Sequence, residues 1–334
     1  MSQDTLYDVI IVGAGPVGFS CGIEAKKRGL SHLMLEKGCM VNSIFHFPTN
    51  MTFFSTSERL EIGEVPFISH GYKPTRREAL EYYRRVRESW DLNIHTLEPV
   101  LSVSGAAGHF EVHSDQAVYH SRAVIVATGF YDQPNLLGVP GEDLPKVKHY
   151  FDEPHPYAFH KVMVVGAGNS SVDVALETYR RGAEVVMVVR EEALKDSVKY
   201  WVKPDIENRL SEGAIRGYFN SEIVEIRPRE VVIQTPEGRK TLANDFVLAM
   251  TGYRPNYRFL KEIGIAIGED EYRTPQYDEH TFESNIPGIF LAGVVCGGLH
   301  TSKWFIENAH DHAFKIFNRL GAEALYGQKK ENEN

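Results

Sequence analysis

The stretch YDVIIVGAGPVGFS at residues 7–20 joins a short apolar run to the glycine pattern G-x-G-x-x-G. A run rich in β-branched residues is typical of a strand buried on both faces of a parallel sheet, and the glycines permit a tight turn into a helix. The stretch KVMVVGAGNSSVD at residues 161–173 repeats this design in the middle of the chain. Two such units, a domain's length apart, predict an α/β fold with two Rossmann-like dinucleotide-binding domains.

Composition agrees with two ordinary domains and argues against several classes of function. The chain has 334 residues, of which 43% are hydrophobic, and a formal net charge of -9. It has no stripe of Lys and Arg that could neutralise phosphates, which argues against a nucleic-acid partner. It also has no apolar run of about 18 residues and no signal-like N-terminus, so we expect no membrane partner and a cytoplasmic location.

Cysteine and histidine spacing favours neither a disulfide scaffold nor a metal site. The three cysteines, Cys21, Cys39 and Cys296, form no C-x-x-C pair, and free thiols suit a reducing compartment. His310 and His312 are separated by a single residue, whereas two ligands on one helix face are about three or four positions apart. We therefore expect no bound metal.

The first glycine motif is followed by an acidic residue at the position that typically binds a ribose. Glu36 ends the next apolar run, and its carboxylate can accept hydrogen bonds from adenosine hydroxyl groups. The alternative is a Glu that faces solvent. The later strand AVIVATG at 123–129 ends in small residues that leave room for a flat cofactor, and IFLAG at 289–293 is expected to be a last strand before the C-terminal helix. These features predict an FAD-binding domain at residues 1–131, and residues 250–334 are expected to return to it, as the last segment does in two-nucleotide flavoproteins.

The second motif differs from the first in two places that bear on its nucleotide. Its third glycine position holds Ser171, which is still small enough for close packing between helix and strand. The next apolar run ends in Arg190, where an acidic residue would select NAD. A guanidinium can instead pair with a 2′-phosphate, so we predict an NADPH-binding domain at residues 132–249. Lys199 could add charge to the same region, although surface lysines are common.

Outside the two motifs, the pattern predicts a helix, a small antiparallel meander and a C-terminal helix. The helix outside the motifs is expected over residues 73–90. The C-terminal helix is expected over residues 301–320, where it would cover the flavin. The connections near Asp132 and Gly252 are expected to be hinges between the domains. The meander strands are expected at residues 100–103, 109–113 and 117–120.

Several longer motifs give the chain a specific resemblance. They are GAGPVGF, EKG-x-x-VNSI, TFFSTSERLEIGEVPFI, ATGFYDQPN, LPKVKHYF, HPY, NDFVLAM-x-GYRPN, IFLAGVV and FIEN. Together they resemble the YpdA family, whose members are thioredoxin-reductase-like flavoproteins proposed to be NADPH-dependent bacillithiol disulfide reductases. The resemblance covers nearly the whole chain. It implies FAD in the discontinuous domain, NADPH in the inserted domain, and a homodimer or higher homo-oligomer.

The resemblance also implies which residues hold each cofactor. In related thioredoxin reductases an Asp contacts the ribityl chain of the flavin where this chain has Val294, and YpdA-like proteins share that loss. The residues expected to contact FAD are Gly13, Gly15, Pro16, Gly18, Glu36, Lys37, Asn42, Ser43, Ala127, Thr128, Gly129, Gly293 and Val294. The residues expected to contact NADPH are Gly166, Gly168, Asn169, Ser170, Ser171, Arg190, Lys199 and Gly252.

Two departures from related proteins bear on the substrate. Residues 140–160 contain no C-x-x-C motif, so the protein dithiol relay of thioredoxin reductases is not expected. YpdA proteins have a cysteine immediately before the third glycine of the first motif, and this chain has Val17 there. Cys296 is the candidate catalytic replacement, because a helix N-terminus after it would lower its pKa. The alternative for Cys296 is a buried apolar role.

Three functions from different classes remain open. The first is an NADPH-dependent oxidoreductase that reduces a low-molecular-weight disulfide, such as bacillithiol disulfide, by hydride transfer through FAD. The second is an NADPH-dependent flavin reductase that passes electrons to ferredoxin, a quinone or oxygen, which the missing cysteine favours. The third is a redox sensor that binds both nucleotides without turnover.

Overall fold

The structure, a computed structural model, describes the backbone of residues 5–331 and the side chains of residues 5–321. The chain separates into two compact units. The first unit contains the residues up to Gln133 together with those from Tyr253 onward, and the second contains Pro134–Gly252. Each unit contains one of the two glycine motifs.

The secondary structure of residues 5–331 alternates between strands and helices. The strands are β1 (Leu6–Val12), β2 (His32–Leu35), β3 (Ile94–His95), β4 (Val100–Ala106), β5 (His109–Ser114), β6 (Val118–Val126), β7 (Gln133–Pro134), β8 (Val147–Lys148), β9 (Lys161–Val165), β10 (Glu184–Val188), β11 (Arg216–Tyr218), β12 (Glu222–Arg227), β13 (Glu230–Thr235), β14 (Gly238–Ala243), β15 (Phe246–Ala249), β16 (Tyr253–Arg254) and β17 (Ile289–Leu291). The helices are α1 (Pro16–Lys27), α2 (Asn42–Phe45), α3 (Ser57–Leu60), α4 (Arg76–Trp90), α5 (Asn169–Arg180), α6 (Lys203–Ser211), α7 (Tyr257–Glu262) and α8 (His310–Glu331). Three short 3₁₀ turns lie at His155–Tyr157, Gly293–Gly297 and Ile306–Asn308. None of the helices in this part of the chain has both the length and the apolar character that a membrane span requires.

A mainly parallel sheet forms the centre of the first unit. Its strand order is β3-β2-β1-β6-β5-β4, and β17 also pairs with β6. Strand β1 is parallel to β2 and β6, and β17 is parallel to β6, whereas β4, β5 and β6 form an antiparallel meander. The carboxyl ends of the parallel strands, at Val12, Leu35, Val126 and Leu291, therefore lie at one end of the sheet. Ligands of open α/β sheets bind at this end.

Strand β6 is longer than predicted, because two expected strands form one continuous strand. Residues 117–120 and 123–129 were expected to be separate, but Val118–Val126 is a single strand. Its first half pairs with β5 in the meander, and its second half pairs with β17 in the parallel sheet. One strand can thus serve both parts of the sheet.

The two helix boundaries predicted in the first unit were wrong at the N-terminal side. Helix α4 begins at Arg76 rather than at residue 73, because the side chains of Thr75 and Glu78 form a reciprocal capping box. Helix α8 begins at His310 rather than at residue 301, and the segment before it contains turns and the short 3₁₀ turn Ile306–Asn308. The segment after β17 is therefore a compact turn region and not the start of a helix.

The second unit has a parallel sheet of order β11-β10-β9-β15-β8 and a separate antiparallel sheet, β12-β13-β14. Alternate residues of β9 point to opposite faces. Val162 and Val164 pack in a core with residues of α5 and α6, whereas Met163 and Val165 pack against β12 and β13. Helix α6 and strand β14 were not predicted from the sequence.

Candidate functional site

The first glycine motif forms a turn in which each glycine has a different environment. Gly13 has φ +107°, and a Cβ atom added to it would lie 2.6 Å from the carbonyl oxygen of Ala127. A Cβ atom at Gly18 would lie 2.2 Å from the oxygen of Gly13. A Cβ atom at Gly15 would meet no atom within 4 Å. The first and third glycines therefore permit close packing, and the second leaves space for a ligand.

The N-terminus of α1 fits an anionic group. The helix follows Gly15, which provides no side-chain cap, and it has Pro16 in its first turn. Its first backbone N–H groups therefore point out of the helix without a side-chain acceptor, at the positive end of the helix dipole. Together with the open space at Gly15, this geometry fits the pyrophosphate of a dinucleotide.

Glu36 is buried at the end of β2, which contradicts the alternative that it faces solvent. Only 6% of its surface is exposed. Its carboxylate accepts the N–H groups of Ala14 at 2.8 Å and Gly38 at 2.9 Å. Burial raises its pKa, and the two backbone hydrogen bonds act in the opposite direction. The carboxylate is thus fixed beside the glycine turn. The neighbouring Lys37 instead forms an ion pair with Asp132 at 2.7 Å.

A polar network around the buried side chain of Glu98 supports the backbone of Glu36. The N–H of Glu36 donates to the oxygen of His95, and the N–H of Glu98 donates to the oxygen of Glu36, both at 2.9 Å. The carboxylate of Glu98 accepts Ser114 Oγ at 2.6 Å and Tyr119 Oη at 2.7 Å, and it lies 3.0 Å from His95 Nδ1. Sequence reasoning missed this network, because its members come from separate strands.

Glu98→Gln is expected to lower the free energy of unfolding by about 2 kcal/mol at neutral pH, because an amide cannot accept all of these hydrogen bonds. Burial alone would raise the pKa of Glu98, but the hydrogen bonds from Ser114, Tyr119 and His95 hold it below its ordinary value. A lowered pKa stabilises the fold above the ordinary pKa, and this stabilisation is lost as the pH falls through the lowered value.

The measurement is thermal unfolding of both proteins between pH 7 and about pH 3. We expect the difference in stability between wild type and Glu98→Gln to shrink at the acid end. Glu111→Gln, at an exposed position of β5, is the matched control and should change stability by less than about 0.5 kcal/mol. A difference that is the same at every pH would contradict the ionised role of Glu98.

The turn before α2 brings Asn42 and Ser43 next to the first glycine motif. Val41 has φ +46° and is buried, and its N–H donates to the oxygen of Ala14 at 2.9 Å. A β-branched residue rarely adopts this left-handed conformation, and such strain is concentrated at functional sites. Asn42 Oδ1 accepts the N–H of Cys39 at 3.4 Å, which closes the turn. No sequence pattern signals the conformation of Val41.

The segments after β6 and β17 meet near the first motif. Gly129 has φ +69°, and a Cβ atom there would lie 3.8 Å from Val294 Cγ2. Gly293 has φ +82°, and a Cβ atom there would lie 3.0 Å from Val17 Cγ2. The expected FAD residues of three distant segments are thus brought together. Val294 is the only residue of 289–298 that is not buried.

The second glycine motif repeats the geometry of the first. Gly166 has φ +129°, and a Cβ atom there would lie 2.5 Å from the oxygen of Met250. Gly168 again has no atom within 4 Å of an added Cβ, and as N-cap of α5 it provides no side-chain acceptor. Ser171 Oγ donates to the oxygen of Gly168 at 2.8 Å, so the third position accepts a side chain here. Ser170, in the first turn of α5, is exposed.

Asn169 holds the loop that follows β10 against the second motif. Its Nδ2 donates to the oxygen of Ser197 at 2.9 Å, and its Oδ1 accepts the N–H of Lys199 at 2.8 Å. Lys199 Nζ forms an ion pair with Asp173 at 2.7 Å. The sequence suggested that Lys199 adds charge for a phosphate, but its ammonium group is already paired.

Arg190 and Gly252 occupy different environments in the second unit. Arg190 follows β10, is exposed, and has no hydrogen-bond or ion-pair partner within the part of the chain that the structure describes. Its guanidinium is therefore available to a ligand. Gly252 has φ +84°, and its oxygen accepts the N–H of Asn135 at 2.9 Å. This hydrogen bond joins the first and last segments of the second unit.

The premise for a catalytic Cys296 was wrong. Cys296 lies inside the 3₁₀ turn Gly293–Gly297, well before α8, and it is fully buried. Burial raises the pKa of its thiol, which is opposite to the lowering expected at a helix N-terminus. Cys21 is also fully buried, with a raised pKa. Cys39 is partly exposed, and burial raises its pKa as well.

We expect iodoacetamide to modify Cys39 in the folded protein and to reach Cys21 and Cys296 only after unfolding, because a buried thiol is protected from the reagent. Peptide mass spectrometry of native and denatured samples measures each site. Modification of Cys296 as fast as Cys39 in the native protein would contradict this assignment.

Comparison with known proteins gives a consistent family. The family model described as pyridine nucleotide-disulphide oxidoreductase matches residues 10–293. Bacilliredoxin reductase Bdr of Bacillus subtilis (strain 168) is 44% identical over 309 residues, which cover 92% of this chain and 95% of that protein. The solved structures of bacillithiol disulfide reductase Bdr (YpdA) from Staphylococcus aureus and Bacillus cereus are each 40% identical, with TM-scores of 0.93. They match 96% of this chain and 99% and 100% of their own chains, respectively.

These similarities confirm the resemblance to the YpdA family and the thioredoxin-reductase-like α/β fold. They also confirm an NADPH-dependent flavoprotein oxidoreductase with FAD and NADPH as its cofactors. The assignment of one cofactor to each unit, and of individual residues to each cofactor, stays a prediction.

Proposed function

Because this chain belongs to the pyridine nucleotide-disulphide oxidoreductase family, we propose that it uses NADPH to reduce a low-molecular-weight disulfide, with bacillithiol disulfide as the best candidate. The observation that carries the proposal is the pair of glycine turns, one in each unit, in which the second glycine leaves open space for a ligand. The full-length similarity to Bdr proteins supports the choice of acceptor.

The first unit is proposed to hold FAD. The N-terminal turn of α1 provides backbone N–H groups for the pyrophosphate, and Gly15 leaves room for its approach. Glu36 is proposed to accept the ribose hydroxyl groups, since its carboxylate is already fixed by Ala14 and Gly38. When bound, FAD accepts a hydride from NADPH and passes two electrons to an acceptor.

The second unit is proposed to hold NADPH. Gly168 and the first turn of α5 provide the equivalent pyrophosphate site. Arg190 is proposed to bind the 2′-phosphate, because a free guanidinium can form charge-assisted, bidentate hydrogen bonds with it. Asn169 and the Lys199–Asp173 ion pair are proposed to hold the adjacent loop in place rather than to contact the phosphate.

The proposed reaction does not need a cysteine of the protein. One disulfide is converted to two thiols by two electrons and two protons, of which NADPH supplies a hydride and water supplies the second proton. Val17, at the position of the family's cysteine, has no thiol and cannot form a mixed disulfide. The buried thiols of Cys21 and Cys296 do not replace it.

The flavin reductase alternative has one observation in its favour, which is the missing thiol at Val17. Without that thiol, electrons could pass to ferredoxin, a quinone or oxygen instead of a disulfide. The disulfide reductase remains the better supported function, because the similarity to disulfide reductases extends over nearly the whole chain.

An anaerobic experiment with the FAD-loaded protein separates the functions. NADPH is added first, then bacillithiol disulfide, while the flavin absorbance is recorded. Bleaching by NADPH followed by recovery on adding the disulfide supports the proposal. Bleaching without recovery contradicts it and favours another acceptor, and no bleaching at all favours a redox sensor.

Val17→Cys is the matched control for this experiment, because it restores the family's cysteine at one position. Mass spectrometry after addition of the disulfide should find a mixed disulfide at position 17 in this variant only. Wild-type turnover without any mixed disulfide supports a reaction that needs no protein thiol. Turnover that appears only in the variant contradicts it.

Location and assembly are further parts of the proposal. We place the protein in the cytoplasm, because its three cysteines are free and a reducing compartment keeps them so. We also propose a homodimer or higher homo-oligomer, by analogy with related reductases. Light scattering on the FAD-loaded protein measures its mass directly, and a monomer would contradict this assembly.

A further inference from the structure

His312 makes a buried hydrogen bond with the segment expected to contact the flavin. Its ring, in the first turn of α8, is only 1% exposed. Nδ1 of His312 accepts the backbone N–H of Gly293 at 3.0 Å. The ring stacks on Phe282 with centroids 3.9 Å apart, and it lies perpendicular to the Trp304 ring with centroids 4.4 Å apart. These contacts leave the imidazole little freedom to turn.

The hydrogen bond fixes the protonation state of this ring. Because Nδ1 accepts the N–H of Gly293, the proton of the neutral imidazole lies on Nε2. Burial, together with Lys315 and Lys303, lowers the pKa of His312 to about 3, so the ring stays neutral at physiological pH. Nε2 is buried and has no hydrogen-bond partner among the described residues. Among the described residues, the ring therefore forms its hydrogen bond through Nδ1, with the N–H of Gly293.

The backbone of Gly293 and Val294 must be held in place by a residue from elsewhere in the chain, because Gly293 has an unusual conformation and Val294 has no polar side-chain group. Gly293 has φ +82° and packs tightly against Val17. Val294, the one partly exposed residue of 289–298, has an apolar side chain where thioredoxin reductases have an Asp. The polar groups that this position can direct at a ligand are therefore those of the backbone. Their orientation depends on how the peptide at Gly293 is held.

We propose that His312 is a positioning residue for FAD, which holds the N–H of Gly293 and thereby orients the Gly293–Val294 backbone toward the flavin. The imidazole replaces in function the side-chain contact that is lost at Val294. It acts through Gly293 and does not itself touch the substrate. The inference rests on the proposed binding of FAD in the first unit.

His312→Asn and His312→Gln test the proposal as a matched pair. An Asn side chain places its amide oxygen near the position of Nδ1, whereas a Gln side chain places it near Nε2. We expect His312→Gln to weaken FAD binding about tenfold or more and to shift the flavin midpoint potential, and His312→Asn to remain within about twofold of wild type. Fluorescence titration of the apo-protein and dye-coupled reduction of the holoprotein give the two readouts.

Trp304→Phe is the packing control, because it loosens the contact on the ring while the acceptor for Gly293 remains. It should lower the thermal stability of the apo-protein and leave FAD affinity near that of wild type. Equal FAD affinities and potentials for the Asn and Gln variants would overturn the proposal. A loss of affinity in Trp304→Phe as large as in His312→Gln would also overturn it.

Hydrogen exchange of the wild-type holoprotein gives a test that needs no variant. The amide of Gly293 should exchange slowly, with protection comparable to that of β17. Fast exchange at Gly293 would overturn the proposal even if both His312 variants failed to fold. If the wild-type protein takes up no FAD, the proposed function fails first. If it binds FAD and is reduced by NADPH, the comparison of variants concerns His312 alone.

Discussion

Gly18→Ala is expected to abolish FAD retention, whereas Ser171→Ala, at the same position of the second glycine motif, is expected to leave the protein folded and reducible. A Cβ atom at Gly18 would lie 2.2 Å from the backbone oxygen of Gly13, which is too close for any real contact. Gly13 has little room to move away, because its N–H donates to the oxygen of Leu35 at 2.8 Å and a Cβ atom added to it would lie only 2.6 Å from the oxygen of Ala127.

The cost of this clash falls on the turn that is proposed to bind the pyrophosphate. Overpacking of a rigid site costs about 3 kcal/mol, and the turn must open to relieve it. In Ser171→Ala the change removes only the 2.8 Å hydrogen bond to the oxygen of Gly168, for about 1 kcal/mol. The same motif position is therefore intolerant of a side chain in one unit and tolerant in the other.

The measurement is the ratio of flavin to protein absorbance after purification, with the thermal stability of each apo-protein beside it. We expect Gly18→Ala to retain less than about a tenth of the flavin of wild type. Ser171→Ala should retain all of it and weaken the binding of NADPH only slightly. Full flavin content in Gly18→Ala would show that the first motif does not bind FAD through this turn.

The parts of the fold that the sequence predicts well are those under strong local constraint. Both glycine turns follow from residues such as Gly13 and Gly166, whose positive φ values and close backbone neighbours permit no other residue type. The strand Lys161–Val165 is the run KVMVV that opens the second motif, because a short β-branched run that ends at a glycine has few alternatives. The placement of Glu36 beside the first turn follows from the same short unit.

The parts that sequence reasoning missed depend on contacts between distant segments. The activation expected of Cys296 required a helix directly after it, but α8 begins only at His310. The network around Glu98 joins strands that are separate in the chain, and His312 reaches back to Gly293 from the C-terminal helix. Neither contact leaves a pattern that one sequence displays. Burial and pairing of this kind can be read only from the folded chain.

Arg190→Ala is expected to raise the KM for NADPH about 10- to 100-fold and to change the KM for NADH by less than about twofold. The 2′-phosphate is the only group that distinguishes the two nucleotides, and a free guanidinium at the end of β10 is the group in the second unit best suited to bind it. Lys199 is not expected to contribute to this discrimination, since its ammonium group already pairs with Asp173 at 2.7 Å.

Lys199→Ala is therefore the matched control for Arg190→Ala. The side chain of Asn169 binds the backbone of the loop that contains Lys199. Loss of the Lys199–Asp173 ion pair loosens this loop, so the rates with NADPH and with NADH should fall together. Steady-state kinetics with both nucleotides, at two salt concentrations, gives the measurement. The effect of Arg190→Ala on NADPH should shrink as salt rises, because the phosphate contact is ionic and exposed. Equal losses for NADPH and NADH in Arg190→Ala would show that Arg190 has a structural role and that another residue binds the 2′-phosphate.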